Sequence, residues 1–598
     1  MIRRRWDAFT DWFNRREFSE NAVLLGFASA IGVLTALGVI AFYRTIDLAY
    51  AVFYRWPGAA LPPAAGLAYR PIVTGAGFAL AWWVMRRFGQ GQDGLNVPDV
   101  QLAVVRRGGS VPTRPALART LASAITIGSG GSAGSEGPVV VLGAAIGSVL
   151  GRAFRFTPQR VATFVGCASA AAISAAFNAP LAGAFFALEE ILGSLSVASF
   201  SPVVVASVVA AVVSRTAFGN HPAFPIPAPY GYGSVGEILL FFPLLGIVTG
   251  VTSIAFVRTY FGFDAFVARF RGRRLAWLIP WAAGAVVGVL VWLSRGFLVG
   301  YGHLALHAEM FGRLAWYALF ALAAGKIIAT AITLGGGGSG GVFTPSLYIG
   351  AATGGGVGVL LMRLLPSAGI HPEAYAVVGM GALVAGATDA PITGILLVFE
   401  MTNDYAIIIP LMLTVVVSHA IARHWERDSL YSGWLRRRGE TIEHGADRDV
   451  LAGLRVRDAI DANPRVIDES APLDVLLEHL ERGDQACFPV VDAEGHCVGV
   501  ITMAGLGQLA ATLGHAGPLV RAADATEPSE VVGPSDSLLD AVRKMGVRGA
   551  AALPVVDRVS GQIVGLITRG HIVTAYESRV ARIERADGAT ARGHAAAS

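Results

Sequence analysis

Cysteine is scarce in this sequence, with only Cys167, Cys487 and Cys497 among 598 residues. Their spacing fits neither a metal-ligand motif nor a disulfide framework, and Cys167 lies within an apolar stretch. No Ser-His-Asp pattern and no other metal-ligand spacing accompanies them. We therefore predict no metal site, no cofactor and no enzymatic catalysis.

Charged residues are also few. Asp, Glu, Lys and Arg together make up 15% of the chain, whereas 54% of the residues are hydrophobic, and the mean hydropathy is +0.56. This composition excludes an ordinary soluble protein and indicates a membrane protein with several spans. Five uncharged runs are each about as long as a bilayer crossing or longer: Ala22–Tyr43, Val197–Ser214, Ile238–Val257, Leu275–Ser294 and Ile327–Met362.

The net charge of +5 does not require a nucleic-acid partner, because arginines beside membrane segments explain it. Five of them precede residue 17, which places the N-terminus on the cytoplasmic side. Aromatic residues alternate with these arginines at helical spacing. Residues 1–20 are therefore predicted to form an amphipathic helix that binds lipid at the membrane surface.

A single carboxylate, Glu136, is the only charge between Thr120 and Gly151. Pro138 suits a first helical position, so we expect a helix to begin there, with Gly134 and Gly137 leaving backbone amides bare. Amides at a helix N-terminus form an anion site. A carboxylate beside such a site can occupy it and leave on protonation, which predicts a gating glutamate. The alternatives are a glutamate in a polar loop at the membrane surface and an acid that only complements the helix dipole.

The second half of the chain repeats the first. Ser132 to Pro138 corresponds to Ser339 to Pro345, where Phe343 stands in place of Glu136. Ala179 to Gly183 recurs at nearly the same spacing as Ala390 to Gly394. Repeats with glycine-interrupted helices are typical of transporters, whose site lies where the broken helices meet. The starts at Pro138 and Pro345 would then aim at one anion, with the amides of Val342 and Phe343 as ungated donors.

Two neighbouring acids, Glu189 and Glu190, close the apolar segment Val161–Leu188. Adjacent residues of a helix point about 100° apart, so at most one of the two faces a given path. One of them relays protons, or both belong to a solvated acidic helix end.

Hydropathy falls from about residue 445 onward, where a second duplication occurs. Phe488–Asp492 and Gly499–Thr502 recur as Leu553–Asp557 and Gly565–Thr568, behind the helix-like stretches Pro472–Glu481 and Ser537–Met545. We therefore divide the chain into a membrane domain (21–435), a linker (436–454), two α+β repeats (455–515 and 520–585) and a disordered tail (586–598).

These residues resemble the CLC family of chloride channels and chloride/proton antiporters over roughly residues 20–435, followed by a tandem pair of CBS domains. The matching motifs are Gly134-Ser135-Glu136-Gly137-Pro138, Gly341-Val342-Phe343-Thr344-Pro345, Phe177 to Gly183 and Phe399 to Thr402. The resemblance implies an all-α polytopic membrane domain with an inverted internal repeat, a homodimer, and cytoplasmic CBS domains.

The resemblance also implies residue roles. The amides of Val342 and Phe343 and the hydroxyl of Tyr431 would bind a dehydrated anion, while Glu136 competes for its path. Glu190 occupies the position of the family's internal proton-transfer glutamate, which favours a chloride/proton antiporter. The alternatives are a passive voltage- or pH-gated chloride channel, a membrane-embedded sensor without transport, and a CBS-regulated divalent-cation transporter.

Two departures from the family bear on the ligands. Leu95 stands at the usual serine position, so the amide of Asn96 is the substitute donor, and the preferred anion is open between chloride, fluoride and nitrate. In the CBS pair, Gly505 and His571 stand where an aspartate usually grips ribose. Binding of an adenine nucleotide is therefore only weakly predicted.

Overall fold

The structure is a computed structural model, which divides into two compact units, Met1–Ile442 and Glu443–Ser598. It describes residues 20–57, 69–90, 95–194, 197–219, 235–270, 272, 276–300, 314–440, 451, 453–472, 485, 487–502, 521–548, 550–558, 560–576 and 578–579. The predicted surface helix before residue 20, Gly94, Gly505 and the predicted tail lie outside these residues.

All regular secondary structure in the described part of the first unit is helical. Its helices are α1 (Glu20–Tyr50), α2 (Arg70–Phe88), α3 (Val97–Arg106), α4 (Thr113–Gly128), α5 (Glu136–Ala153), α6 (Pro158–Phe177), α7 (Pro180–Phe186), α8 (Val197–Phe218), α9 (Phe242–Ala268), α10 (Leu278–Leu293), α11 (Trp316–Gly335), α12 (Phe343–Leu364), α13 (Pro372–Thr388), α14 (Pro391–Thr402), α15 (Ile408–Trp425) and α16 (Ser432–Arg437). Eight helical stretches among the described residues are long and apolar enough to cross a membrane. The chain is thus a multi-pass membrane protein.

The helices at the two repeated motifs begin earlier than predicted. α5 begins at Glu136 and α12 at Phe343, two residues before Pro138 and Pro345. The first four amides of a helix have no acceptor within it, so proline fits anywhere in that first turn. Glu136 is consequently part of its helix.

The apolar stretch 161–188 is two helices rather than one segment. α6 ends at Asn178, whose φ of 56° is left-handed, and Pro180 begins α7. The second half breaks in the same way, at Asp389 (φ 75°) before Pro391. An Asn or Asp tolerates the left-handed conformation that ends a helix, and a following proline restarts one.

The two halves meet at their glycine motifs as an inverted repeat. Gly134 and Gly341 exchange both backbone hydrogen bonds, each with an N···O distance of 2.8 Å, in an antiparallel bridge. A Cβ on Gly341 would lie 2.8 Å from the amide nitrogen of Gly137. Glycine is therefore required for the two helix starts to approach so closely.

Side chains around this bridge repeat the same symmetry. The amide of Ser132 donates to the Thr333 hydroxyl (3.1 Å), and the amide of Ser339 donates to the Thr126 hydroxyl (3.0 Å). Each half thus satisfies the backbone polar groups of the other at the buried centre of the unit, as unpaired amides there would be costly.

The second unit contains two small sheets, as the repeated β-branched runs predict. β1 (Ile467–Asp468), β2 (Cys487–Val491) and β3 (Cys497–Thr502) form one; β4 (Ala552–Val556) and β5 (Ile563–Thr568) form the other, behind α17 (Leu538–Arg548). Both hairpins are antiparallel. Most of the helix-like stretch 472–481 lies outside the described residues.

The two repeats of this unit exchange segments. Asp461, near the start of the first repeat, pairs with Leu566 in β5, and Glu527, near the start of the second, pairs with Val500 in β3. Each lead segment therefore extends the sheet of the other repeat, so the repeats form one body with approximate twofold symmetry.

Candidate functional site

The Glu136 carboxylate reaches across to the start of the opposing helix α12. It is 2% exposed, and its Oε2 accepts a hydrogen bond from the Thr344 amide at 3.2 Å. Its Oε1 accepts from the hydroxyls of Thr344 and, at 2.9 Å, Ser135. A Cβ on Gly134 would collide with Oε2, so this glycine leaves the space that the carboxylate fills.

A line of hydroxyls continues from this carboxylate. The Ser135 hydroxyl lies 3.0 Å from the hydroxyl of Tyr43, on α1. Sequence reasoning missed both Thr344 and Tyr43 as neighbours of the glutamate. Thr344 lies beside Phe343 in the second motif and was therefore within reach of the repeat argument, whereas no sequence signal pointed to Tyr43.

The arrangement places a negative group at the positive end of a helix. Because the first amides of α12 have no acceptor within the helix, a carboxylate that accepts from Thr344 satisfies one of them. Any anion that took the place of this carboxylate would meet the same donors. The ionised side chain and a free anion therefore exclude one another here.

A cavity of about 450 Å³ opens beside the paired helix starts. Its wall includes Asn96, Arg119, Gly137, Gly340, Val342 and Tyr431. Four arginines line it, at positions 86, 119, 437 and 438, against the single carboxylate of Asp264 among the described residues. This excess of positive charge attracts anions.

The predicted anion-binding residues lie at this cavity with one difference. Val342 and the 7% exposed Tyr431 line it, whereas the ring of Phe343 is turned into the core against Phe177 and Phe186, with centroids 6.1 and 6.2 Å away. Only the backbone of Phe343 can therefore serve a ligand. Among the described residues no acceptor pairs with the amides of Val342 and Phe343.

Asn96, at the start of α3, has its side chain engaged already. Its Oδ1 accepts from Nη2 of Arg119 at 2.5 Å, and its backbone amide donates to Asp99 at 2.7 Å. Asn96 is nevertheless one of the residues that line the cavity. Arg119 was not predicted from the sequence, because this arginine of α4 belongs to no recognisable motif.

The two adjacent acids Glu189 and Glu190, just after α7, have different surroundings. Glu190 is 5% exposed and accepts from the side chain of Gln101 at 2.9 Å, and its backbone carbonyl accepts from the same nitrogen at 2.7 Å. It is thus a buried acid rather than part of a solvated helix end. The residues lie in a π-helical turn, Ala187–Ile191, which changes the direction of successive side chains.

Glu189 instead caps a helix of the other half. Its carboxylate accepts from the backbone amides of Ile392 (3.1 Å) and Thr393 (2.8 Å), at the start of α14. Glu400, its repeat equivalent, accepts from the amides of Leu181 (2.9 Å) and Ala182 (2.7 Å) at the start of α7. The two halves therefore cap one another, a structural role that accounts for Glu189.

Replacing Glu189 by glutamine is expected to lower the thermal stability. A glutamine amide has one acceptor oxygen where the carboxylate has two, so the cap loses about 1–2 kcal/mol. The midpoint of unfolding, followed by tryptophan fluorescence in detergent, measures this loss. Glu400→Gln should lower the midpoint by a similar amount, and unchanged midpoints in both variants would contradict the capping role.

Comparison with known families gives matches over both units. The family model described as voltage gated chloride channel matches residues 77–423. The CBS domain model matches twice, at residues 456–506 and 520–578.

Individual proteins match over most of the first unit. A ClcB-like chloride channel protein of Ralstonia nicotianae is 32% identical over 452 residues, which cover 70% of this chain and 98% of the relative. An H(+)/Cl(-) exchange transporter ClcA of Yersinia pseudotuberculosis is 29% identical, covering 69% of this chain and 87% of the relative. The crystal structure of a slow cyanobacterial Cl-/H+ antiporter superposes with a TM-score of 0.62 at 25% identity, covering 69% of this chain and 97% of that one.

Proposed function

Because this chain belongs to the voltage-gated chloride channel family and carries a CBS pair, we propose that it exchanges chloride for protons across a membrane. Two of the similar proteins are named as exchangers of these ions. The observation that carries the proposal is the Glu136 carboxylate on the Thr344 amide, in the place a bound anion would take. One acidic group then serves both ions, which is the requirement for coupling.

The mechanism proceeds from the charge of Glu136. When ionised, this side chain holds the first turn of α12 and keeps the anion path closed. On protonation it loses the negative charge that suits the helix terminus, and it leaves. A chloride ion then binds to the amides of Val342 and Phe343 and to the hydroxyl of Tyr431, and its passage ends when the carboxylate loses its proton and returns.

Glu190 is proposed to pass protons between Glu136 and the cytoplasm. Ionisable groups buried within membrane segments are costly and are characteristic of proton relays. Glu190 is such a group, and Gln101 holds its carboxylate by a neutral hydrogen bond that permits either protonation state. Its neighbour Glu189 is committed to its cap and is assigned no part in the relay.

A passive chloride channel is the second candidate function. The Ralstonia relative is named as a chloride channel protein, and Leu95 supplies no donor at the anion path. The buried Glu190 favours exchange over this alternative, since a channel has no use for a proton relay.

We also propose the orientation of the chain, its assembly and the domain limits that the sequence predicts. The arginines ahead of residue 17 favour a cytoplasmic N-terminus and cytoplasmic CBS domains, and the family resemblance favours a homodimer. For the CBS pair we propose a structural role with at most weak binding of adenine nucleotides. In support, the imidazole of His571, at the position of the expected aspartate, has a buried Nδ1 that no described residue pairs with, and it offers no carboxylate to ribose.

The proposed function is tested with the purified protein in liposomes that carry an imposed chloride gradient. We expect chloride to move down its gradient and to drive protons uphill, seen as a pH change inside the vesicles with a proton-sensitive dye. Runs with fluoride and with nitrate establish the preferred anion. Chloride flux without proton movement would favour the channel, and no flux of any anion would overturn both functions.

A further inference from the structure

Arg119 is a buried cation in the wall of the anion cavity. It is 7% exposed and lies on α4. Its Nη2 donates to Oδ1 of Asn96 (2.5 Å) and to the carbonyl of Gly340 (2.9 Å). The Nε of this guanidinium is buried and has no hydrogen-bond partner among the described residues. The arginine thus joins the loop before α3 to the glycine motif that precedes α12.

Its positive charge is near Asp99 but forms no ion pair with it. Among the described residues no carboxylate lies within ion-pair distance of Arg119. The nearby Asp99 is occupied elsewhere, since its Oδ1 pairs with Arg438 at 3.2 Å and its Oδ2 accepts from the Asn96 backbone. A charge held in a low-dielectric wall acts strongly on an ion in the adjoining cavity.

The contact to Asn96 also fixes which way that side chain points. A guanidinium can only donate, so the atom facing Arg119 must be the amide oxygen of Asn96. The NH₂ group of Asn96 therefore lies on the other side of the amide, where no described residue accepts from it, and it can donate into the cavity that Asn96 lines. The side chain of the preceding residue, Leu95, is buried and has no donor to offer.

The internal repeat provides a reference for this contact. Lys326 on α11 follows Arg119 at the spacing that separates Phe343 from Glu136. Its ammonium is fully buried and donates to two backbone carbonyls, of Leu298 (3.3 Å) and Gly300 (2.7 Å). Both halves therefore hold a buried basic side chain, but of the two only Arg119 lines the cavity and donates a hydrogen bond to another side chain, whereas the Lys326 ammonium lies over the ring of Tyr348.

We propose that Arg119 is a positioning residue that sets anion affinity and preference, by turning the Asn96 amide toward the cavity and by adding a fixed positive charge. The proposal rests on the proposed function and deepens it. Small, strongly hydrated anions need the strongest donors to offset their dehydration, so these donors favour fluoride and chloride over nitrate.

The first part of the test compares three variants with the wild type. Binding of chloride and nitrate to the detergent-solubilised protein is measured by calorimetry, and anion flux is measured in liposomes. For Arg119→Gln we expect the chloride dissociation constant to rise about tenfold and nitrate affinity to change less. Arg119→Lys retains the charge and should recover part of the loss. Arg114→Gln removes an exposed charge from the same helix but outside the cavity lining, where salt screens it, and should leave the preference unchanged.

Asn96→Ala separates positioning from a merely structural role. If Arg119 acts through Asn96, the double variant Arg119→Gln/Asn96→Ala should show the same preference as Arg119→Gln alone. The inference would be overturned if the two substitutions had fully additive effects on anion preference, or if neither Arg119→Lys nor Arg119→Gln changed that preference. Either result would leave wild-type exchange unaffected. A wild type that binds and carries no anion would instead overturn the proposed function itself.

Discussion

Glutamine at position 136 is expected to abolish proton transport while anion flux continues. The side chain has nearly the same size, and its oxygen can still accept from the Thr344 amide, but it carries no charge and cannot release a proton. Proton transport should fall by about a hundredfold or more, the range expected when a proton-transfer group is lost. Chloride flux and internal pH in the same liposomes measure the two activities.

The matched control is a glutamate in the same kind of position elsewhere. Glu373 lies in the first turn of α13 and lines no part of the cavity. Glu373→Gln should leave both fluxes and their ratio unchanged. A further expectation is that anion flux through Glu136→Gln no longer responds to pH, since its only titratable gate is gone. Proton transport that persists in Glu136→Gln would remove Glu136 from the mechanism.

The sequence predicted the helix starts and the repeat because these depend on local residue chemistry. A lone acid followed by Gly-Pro and an apolar run fixes where a helix begins to within two residues. The repeated motif then predicts that two such starts meet, and the Gly134–Gly341 bridge confirms that they do. Both inferences use residues that are neighbours in the chain or that recur in order.

Contacts between distant segments could not be read in this way. Arg119 reaches Gly340 and Tyr43 reaches Ser135, and neither pair carries a shared spacing or motif. The loop that holds Asn96 is likewise defined by an arginine from the next helix. Such contacts depend on how helices pack, and that is determined by many apolar side chains together rather than by any local pattern.

The acidic pair at 189 and 190 shows most clearly what can and what cannot be predicted from the sequence. Helical geometry establishes that the two carboxylates diverge, but it cannot say which one faces the protein interior. The π-helical turn and the start of α14 decide this, since Glu189 reaches the amides of Ile392 and Thr393 and Glu190 is left facing Gln101. The internal repeat does distinguish the two acids, because Glu400 corresponds to Glu189 and not to Glu190.

Replacing Glu190 by glutamine is therefore expected to uncouple the protein from protons while chloride flux remains. Glutamine keeps the size and the hydrogen bond to Gln101 but cannot carry a proton, so the proposed delivery of protons to Glu136 stops. Proton transport should fall by about a hundredfold, whereas the anion site near Val342 and Tyr431 is untouched. The measurement is proton and chloride flux in one set of liposomes.

Glu189→Gln is the matched control, one residue away. It should lower the unfolding midpoint through its cap and leave the ratio of proton to chloride flux at the wild-type value. The two variants thus separate stability from coupling. Glu189→Gln is expected to lose stability, and Glu190→Gln is expected to lose proton coupling. If Glu190→Gln kept its proton flux, the buried acid would be structural, and protons would have to reach Glu136 by another route, such as the Ser135–Tyr43 hydroxyls.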